Sequence, residues 1–134
     1  MGIVSPVGST LDAAWQNVRD GNSGIVVLDE FDTSDYPTRI AGMVRDFDAD
    51  AYLPKKDQRK NDPFIHYAVG ASVEAIRDSG LEITEENGHR VGVALGAGIG
   101  GIKMIEEASL KLHNGGVRKV SPFFIPGSII NMAS

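Results

Sequence analysis

The chain has 134 residues, 42% of them hydrophobic and 23% charged, with a formal net charge of −5 and no cysteine. That length suits one domain, and nothing in this composition suggests disorder or nucleic-acid binding. The missing thiols exclude disulfides and thiolate metal sites, and no apolar run approaches the ~20 residues of a membrane helix. No secretory pattern opens the sequence, so we expect a cytoplasmic protein.

Taken in chain order, the first element is a helix that Ser9 or Thr10 can cap. Leu11, Ala14, Trp15 and Val18 recur at i, i+3, i+4 and i+7, and Gly21 is placed to stop it. Its apolar face should pack inward. Residues 24–28 and 39–44 are short strand candidates flanked by acidic loops. Asp62 and Pro63 read as the N-cap and first residue of a second helix ending at Gly80. Along it Phe64, Ala68, Ala71 and Ala75 form one stripe and Ile65, Val69, Ser72 and Ile76 its neighbour, which predicts a helix covered on two sides. Residues 90–95 alternate weakly and carry the β-branched Val91 and Val93, as in a strand buried on both faces. A glycine turn over residues 96–101 leads into a helix over 103–112, and Ser128 is the expected N-cap of a last helix. Helices alternating with strands, and 16 glycines for tight turns, point to an α/β fold.

The glycine turn carries the most information. Gly96, Gly98 and Gly101 have the G-x-G-x-x-G spacing of a dinucleotide-binding turn, with a strand before and a helix after. That fingerprint also needs an acidic residue about 20 positions on. The region there reads Gly116-Val117-Arg118-Lys119-Val120-Ser121-Pro122, without a carboxylate. The plain alternative is a packing turn without a ligand.

Other motifs are weaker. Asp46, Asp48 and Asp50 begin like a calcium loop, but Ala51 stands where glycine is needed and Asp57 where glutamate is needed, so no metal site is expected. His66, His89 and His113 lack ligand spacing and read as surface or packing residues. Asp29, Glu30, Asp32 and Asp35 would do acid and base work only inside a pocket, and otherwise form a solvated loop. Lys55, Lys56, Arg59 and Lys60 cluster in an acidic chain, with Lys56, Arg59 and Lys60 spaced to share one helical face. Such a cluster fits a solvated run as well as a docking face for an acidic partner. Ile99 and Phe123-Phe124-Ile125 are most simply core residues.

From Asn87 the chain runs NGHRVGVALGAGIGG, then a helix with Glu106 and Glu107, then Asn114-Gly115-Gly116-Val117-Arg118-Lys119, then SPFFIPGSIINM. This order resembles the β-ketoacyl-acyl carrier protein synthases, whose matching stretches are a GSGIGG turn, an NGGPRK loop and an SPFFVPSTIVNM segment. Residues 2–8, 31–34 and 56–60 agree as well. The resemblance covers the whole chain and about the first third of the family. It implies a thiolase-like layered sandwich (helix, sheet, helix, sheet, helix when intact) that pairs as a homodimer, needs no cofactor, and binds neither nucleic acid nor membrane. It further implies an opening strand ahead of Gly2 and, beyond Ser134, the nucleophilic cysteine, two histidines and a lysine of the active site. No catalytic residue is therefore expected among these 134.

What the resemblance assigns to this chain is surface and wall. Lys56, Arg59, Lys60, Arg118 and Lys119 match the basic residues that hold the acidic acyl carrier protein. Ile99 and Phe124 match residues that approach the acyl-chain pocket near the dimer interface. Gly127 stands where many members have serine, which implies a looser backbone there. Two other functions remain open, a stand-alone non-catalytic carrier-protein-binding module and a dinucleotide-binding domain built on the turn at residues 96–101.

Overall fold

A computed structural model describes all residues from Met1 to Ser134. Helix α1 (Leu11–Arg19) starts at Thr10, whose Oγ1 accepts the Ala13 amide at 3.3 Å, and stops before Gly21 at φ 72°. Strands β1 (Ile25–Val27) and β2 (Ile40–Gly42) form one antiparallel ladder, with Val26 opposite Ala41. They fall inside the two expected segments. A single turn, α2 (Lys55–Gln58), precedes the long helix α3 (Pro63–Ser79), which Asp62 caps and which Gly80 ends in the left-handed conformation at φ 64°. Helix α4 (Ile102–Gly115) and the short α5 (Phe124–Ser128) complete the set.

Helix α3 is the hub. The Phe47 ring stacks on Tyr52 at 5.6 Å and meets Tyr67 edge-on at 5.2 Å. Gly70 makes room for it, because a Cβ there would lie 2.6 Å from the ring. Gly2 sits closer still to α3, because a Cβ on it would overlap the Ala71 carbonyl oxygen. Residues 130–133 and 49–51 pack on α3, and α4 packs on α5 and on residues 117–119.

Three expectations need correction. Residues 91–95 are extended but belong to no ladder, and residues 92–99 neither give nor accept a backbone hydrogen bond. A strand is made by its neighbour's hydrogen bonds, and no segment of this chain pairs with them. Second, of the α1 stripe only Ala14 is buried, while Trp15 remains 62% exposed. The two three-residue strands are too small a sheet to cover it. Third, Ser128 ends α5 and a 3-10 turn (Ile130–Ala133) follows it, because the Ser128 hydroxyl turns back to the Phe124 carbonyl at 2.6 Å and caps no amide ahead. On α3, Ile65 is fully covered and the rest of both stripes is half-buried except Ile76, as a largely sandwiched helix requires.

Candidate functional site

The basic segment is braced by its own carboxylates. Asp48 accepts the Asp50 amide at 3.0 Å, opening a 3-10 turn over Ala49–Ala51. Asp50 in turn accepts the Gln58 amide group at 2.9 Å and pairs with Lys55 at 3.3 Å. Gln58, then Lys55, hold the Asp50 carboxyl below its ordinary value. Gln58 also reaches the Leu53 carbonyl at 2.7 Å, and His66 Nε2 meets the Gln58 carbonyl at 3.2 Å. Asp48 and Asp50 of the calcium-like pattern thus act as turn braces, and the half-buried His66 packs against Gln58.

Lys56, Arg59 and Lys60 do not share one long helical face. Asp62 precedes Pro63, which bars it from helical backbone, and its ψ of 150° ends the helical run at Arg59. Lys56 and Arg59 are left exposed and take part in no ion pair. Lys60 turns inward, 3.4 Å from the Asp57 carboxylate and 5.4 Å from the centre of the Phe123 ring. This cation joins the 55–60 segment to the stretch that carries Arg118 and Lys119. Those two sit exposed on a 3-10 turn (Val117–Lys119) after Gly116, beyond the C-terminus of α4, where positive charge also favours the helix dipole.

The glycine turn is shaped by close contacts within this chain. Gly100 has φ 78°, and a Cβ on it would stand 2.6 Å from the Ser128 carbonyl. A Cβ on Gly101 would stand 2.7 Å from Ser128 Cα. The Gly101 amide donates to the Ser128 carbonyl at 2.8 Å. Helix α4 has no capping side chain of its own, because its N-cap is Gly101. Asp62, only 4% exposed, supplies the acceptor: Oδ2 takes the Met104 amide at 2.9 Å while Oδ1 takes the Phe64 amide at 3.3 Å. A dinucleotide would put its pyrophosphate at this helix start. Here a carboxylate already occupies it and would repel one.

Ile99 stands 64% exposed at the turn, against the plain expectation of a core residue. Phe124 is half-buried on α5, lining a small groove with Met104, Ala108 and Ser121. Ser128 links the two elements, since its carbonyl holds Gly101 and its hydroxyl holds the Phe124 carbonyl. Gly127 is not a loose point. It is buried, its carbonyl accepts the Asp62 amide at 3.0 Å, and a Cβ there would meet the Lys60 carbonyl at 2.2 Å.

The acidic loop exposes Asp29, Glu30, Asp32 and Asp35 to solvent. Asp29 pairs with Arg45 at 2.8 Å, and the Ser34 amide and hydroxyl hold the Asp32 carboxyl below its ordinary value. Sequence reasoning missed the second role of Asp62, the Lys60 to Phe123 contact and the tight seat of Gly127. None of these left a local signal, because the Asp-Pro pair marks only the start of α3.

The comparisons with known proteins agree across the chain. The β-ketoacyl synthase N-terminal domain family matches residues 1–134. The chain is 52% identical over 134 residues to the 3-oxoacyl-[acyl-carrier-protein] synthase 2 of Vibrio harveyi, covering all of this chain and 32% of that protein. It is 50% identical to the protein of the same name from Coxiella burnetii, again over its full length and 32% of the relative. The chain therefore spans about a third of the curated relatives it matches. Among solved structures it resembles a β-ketoacyl synthase from Burkholderia phymatum, with a TM-score of 0.75, 23% identity, and coverage of 97% of this chain and 32% of that one. It also resembles a type II polyketide ketosynthase solved with its acyl-carrier protein, with a TM-score of 0.73, 23% identity, and coverage of 96% and 33%. At that identity these structures speak to the fold, a thiolase-like arrangement of mixed helix and sheet.

Proposed function

The chain belongs to the β-ketoacyl synthase N-terminal domain family, and from that premise we propose that it supplies the carrier-protein docking surface and part of the acyl-pocket wall of a fatty-acid condensing enzyme. The observation that carries this is identity of 52% along the whole chain to a 3-oxoacyl-[acyl-carrier-protein] synthase 2. In the intact enzyme the segment forms part of the first half of the five-layer sandwich, and two subunits pair. Acyl carrier protein is strongly acidic, and Lys56, Arg59, Arg118 and Lys119 offer it exposed cations free of ion pairs in the chain. Charges of this kind raise the rate of encounter more than they tighten the complex, which suits a partner that must deliver and leave.

The chemistry proposed for the intact enzyme runs in two steps. A cysteine thiolate takes the acyl group from its carrier thioester and releases the carrier thiol. Malonyl-carrier protein then loses carbon dioxide, and the resulting carbanion attacks the acyl-enzyme, expels the thiolate and forms a 3-oxoacyl chain two carbons longer. This chain contains no cysteine, so its residues orient and enclose. Ile99 and Phe124 line the acyl chain, and the basic residues fix the carrier.

The test is mass spectrometry of the carrier-bound product. The intact protein, given acyl- and malonyl-carrier protein, should yield the extended 3-oxoacyl thioester, while the isolated 134-residue chain should yield neither product nor acyl adduct. Turnover by the isolated chain, or none by the intact protein, would overturn the assignment.

A further inference from the structure

We propose that Asp62 is a positioning residue that fixes the glycine turn in register with α5, so that a carboxylate touching no substrate sets the place of Ile99. The role rests on Ile99 and Phe124 forming the pocket wall proposed above. Residues 92–99 make no backbone hydrogen bond, so the turn is held only at its far end. There it has two ties, the Gly101 amide to the Ser128 carbonyl at 2.8 Å and the Met104 amide to Asp62 Oδ2 at 2.9 Å. The second comes from 42 residues away in sequence. It replaces the cap that Gly101 cannot provide.

The same residue holds two more elements. Oδ1 caps α3 through the Phe64 amide, and the Asp62 amide binds the Gly127 carbonyl at 3.0 Å. Both carboxylate oxygens accept amides in the first turn of a helix, Phe64 in α3 and Met104 in α4. The chemistry is specific to a carboxylate. Asparagine offers one acceptor and one donor, so one of the two amides would face an N–H group. Serine caps α3 equally well, but its shorter side chain falls short of Met104.

The pair of variants Asp62→Asn and Asp62→Ser separates the two caps in the intact protein. Amide hydrogen exchange at Met104 should speed up about tenfold in Asp62→Ser, as expected for losing one charge-assisted hydrogen bond, while in Asp62→Asn exchange should speed up at whichever of Met104 and Phe64 faces the side-chain N–H group. Protection in the middle of α3 should hold, most firmly in Asp62→Ser. The ratio of kcat/KM for short against long acyl chains should shift several-fold, with carrier-protein affinity unchanged. Unaltered exchange at Met104 in Asp62→Ser would overturn the proposal, as would a uniform loss of protection in every helix, which marks a merely structural residue. Faster exchange with unaltered chain-length preference would refute the positioning role while the condensing function stands. If the intact wild-type protein condenses nothing, that functional assignment fails, and the exchange measurement still decides whether Asp62 clasps the turn.

Discussion

Reversing the exposed cations of the basic segment tests the docking surface. Lys56 and Arg59 have no ion-pair partner, so Lys56→Glu with Arg59→Glu removes attraction for a partner without breaking an internal contact. Lys60→Glu does more, because it would put a second carboxylate beside Asp57, now 3.4 Å from the Lys60 ammonium, and would lose the Phe123 face at 5.4 Å. That cation–π contact contributes roughly 0.5–1 kcal/mol, so part of any effect of the triple change is a folding cost. Exposed pairs contribute about 0.2–1 kcal/mol each. The double reversal should therefore weaken acyl-carrier-protein binding by on the order of 1–2 kcal/mol, roughly 5- to 30-fold in Kd. Most of it should appear in the association rate and shrink as salt is added. Arg19→Glu with Arg90→Glu is the control of equal charge change. Lys103 is unsuitable, because it lines the same surface hollow as Arg59. Stopped-flow association at low salt is the assay, and equal rates for wild type and the double mutant would show the cluster to be a solvated face.

Asp50 should titrate below the ordinary aspartate value of 3.8 in an NMR pH series, because Gln58 and Lys55 hold it ionised. A depressed folded value stabilises above the unfolded pKa and is lost as pH falls through the folded one, so the brace on α2 should loosen only in acid. Gln58→Ala should move that midpoint upward. Gly127→Ser should destabilise the intact protein by about 1–3 kcal/mol in denaturant melts, since a Cβ there meets the Lys60 carbonyl at 2.2 Å; an unchanged midpoint would mean that the backbone yields freely. The isolated chain buries only 8 of its 134 residues and leaves Trp15, Val93, Ile99 and Val117 more than half exposed. It should associate in light scattering, and a monodisperse monomer at high concentration would contradict this.

Local signals in the sequence located the helices well. Thr10, Asp62, Gly21 and Gly80 mark the ends of α1 and α3 because capping is chemistry within four residues. The family was legible too, in the glycine turn and the segment after Asn114. Residues 90–95 misled, since β-branched content states a preference and a ladder needs a neighbour. Ser128 misled for a related reason: its hydroxyl serves equally well bonded backward to a carbonyl. Within the site, Lys56 and Arg59 were legible as members of a basic cluster. The inward turn of Lys60 and the reach of Asp62 to Met104 were not, because both depend on which segments the fold brings side by side.

A graft tests the proposed docking surface and pocket wall most directly. The Vibrio harveyi relative aligns with all 134 residues over 32% of its own length, so that third can be exchanged for this chain and the hybrid assayed for 3-oxoacyl-carrier-protein formation. We predict a folded dimer that extends acyl chains by two carbons and loses carrier-protein association rate on Lys56→Glu with Arg59→Glu. A folded, dimeric hybrid that forms no extended product would contradict the account.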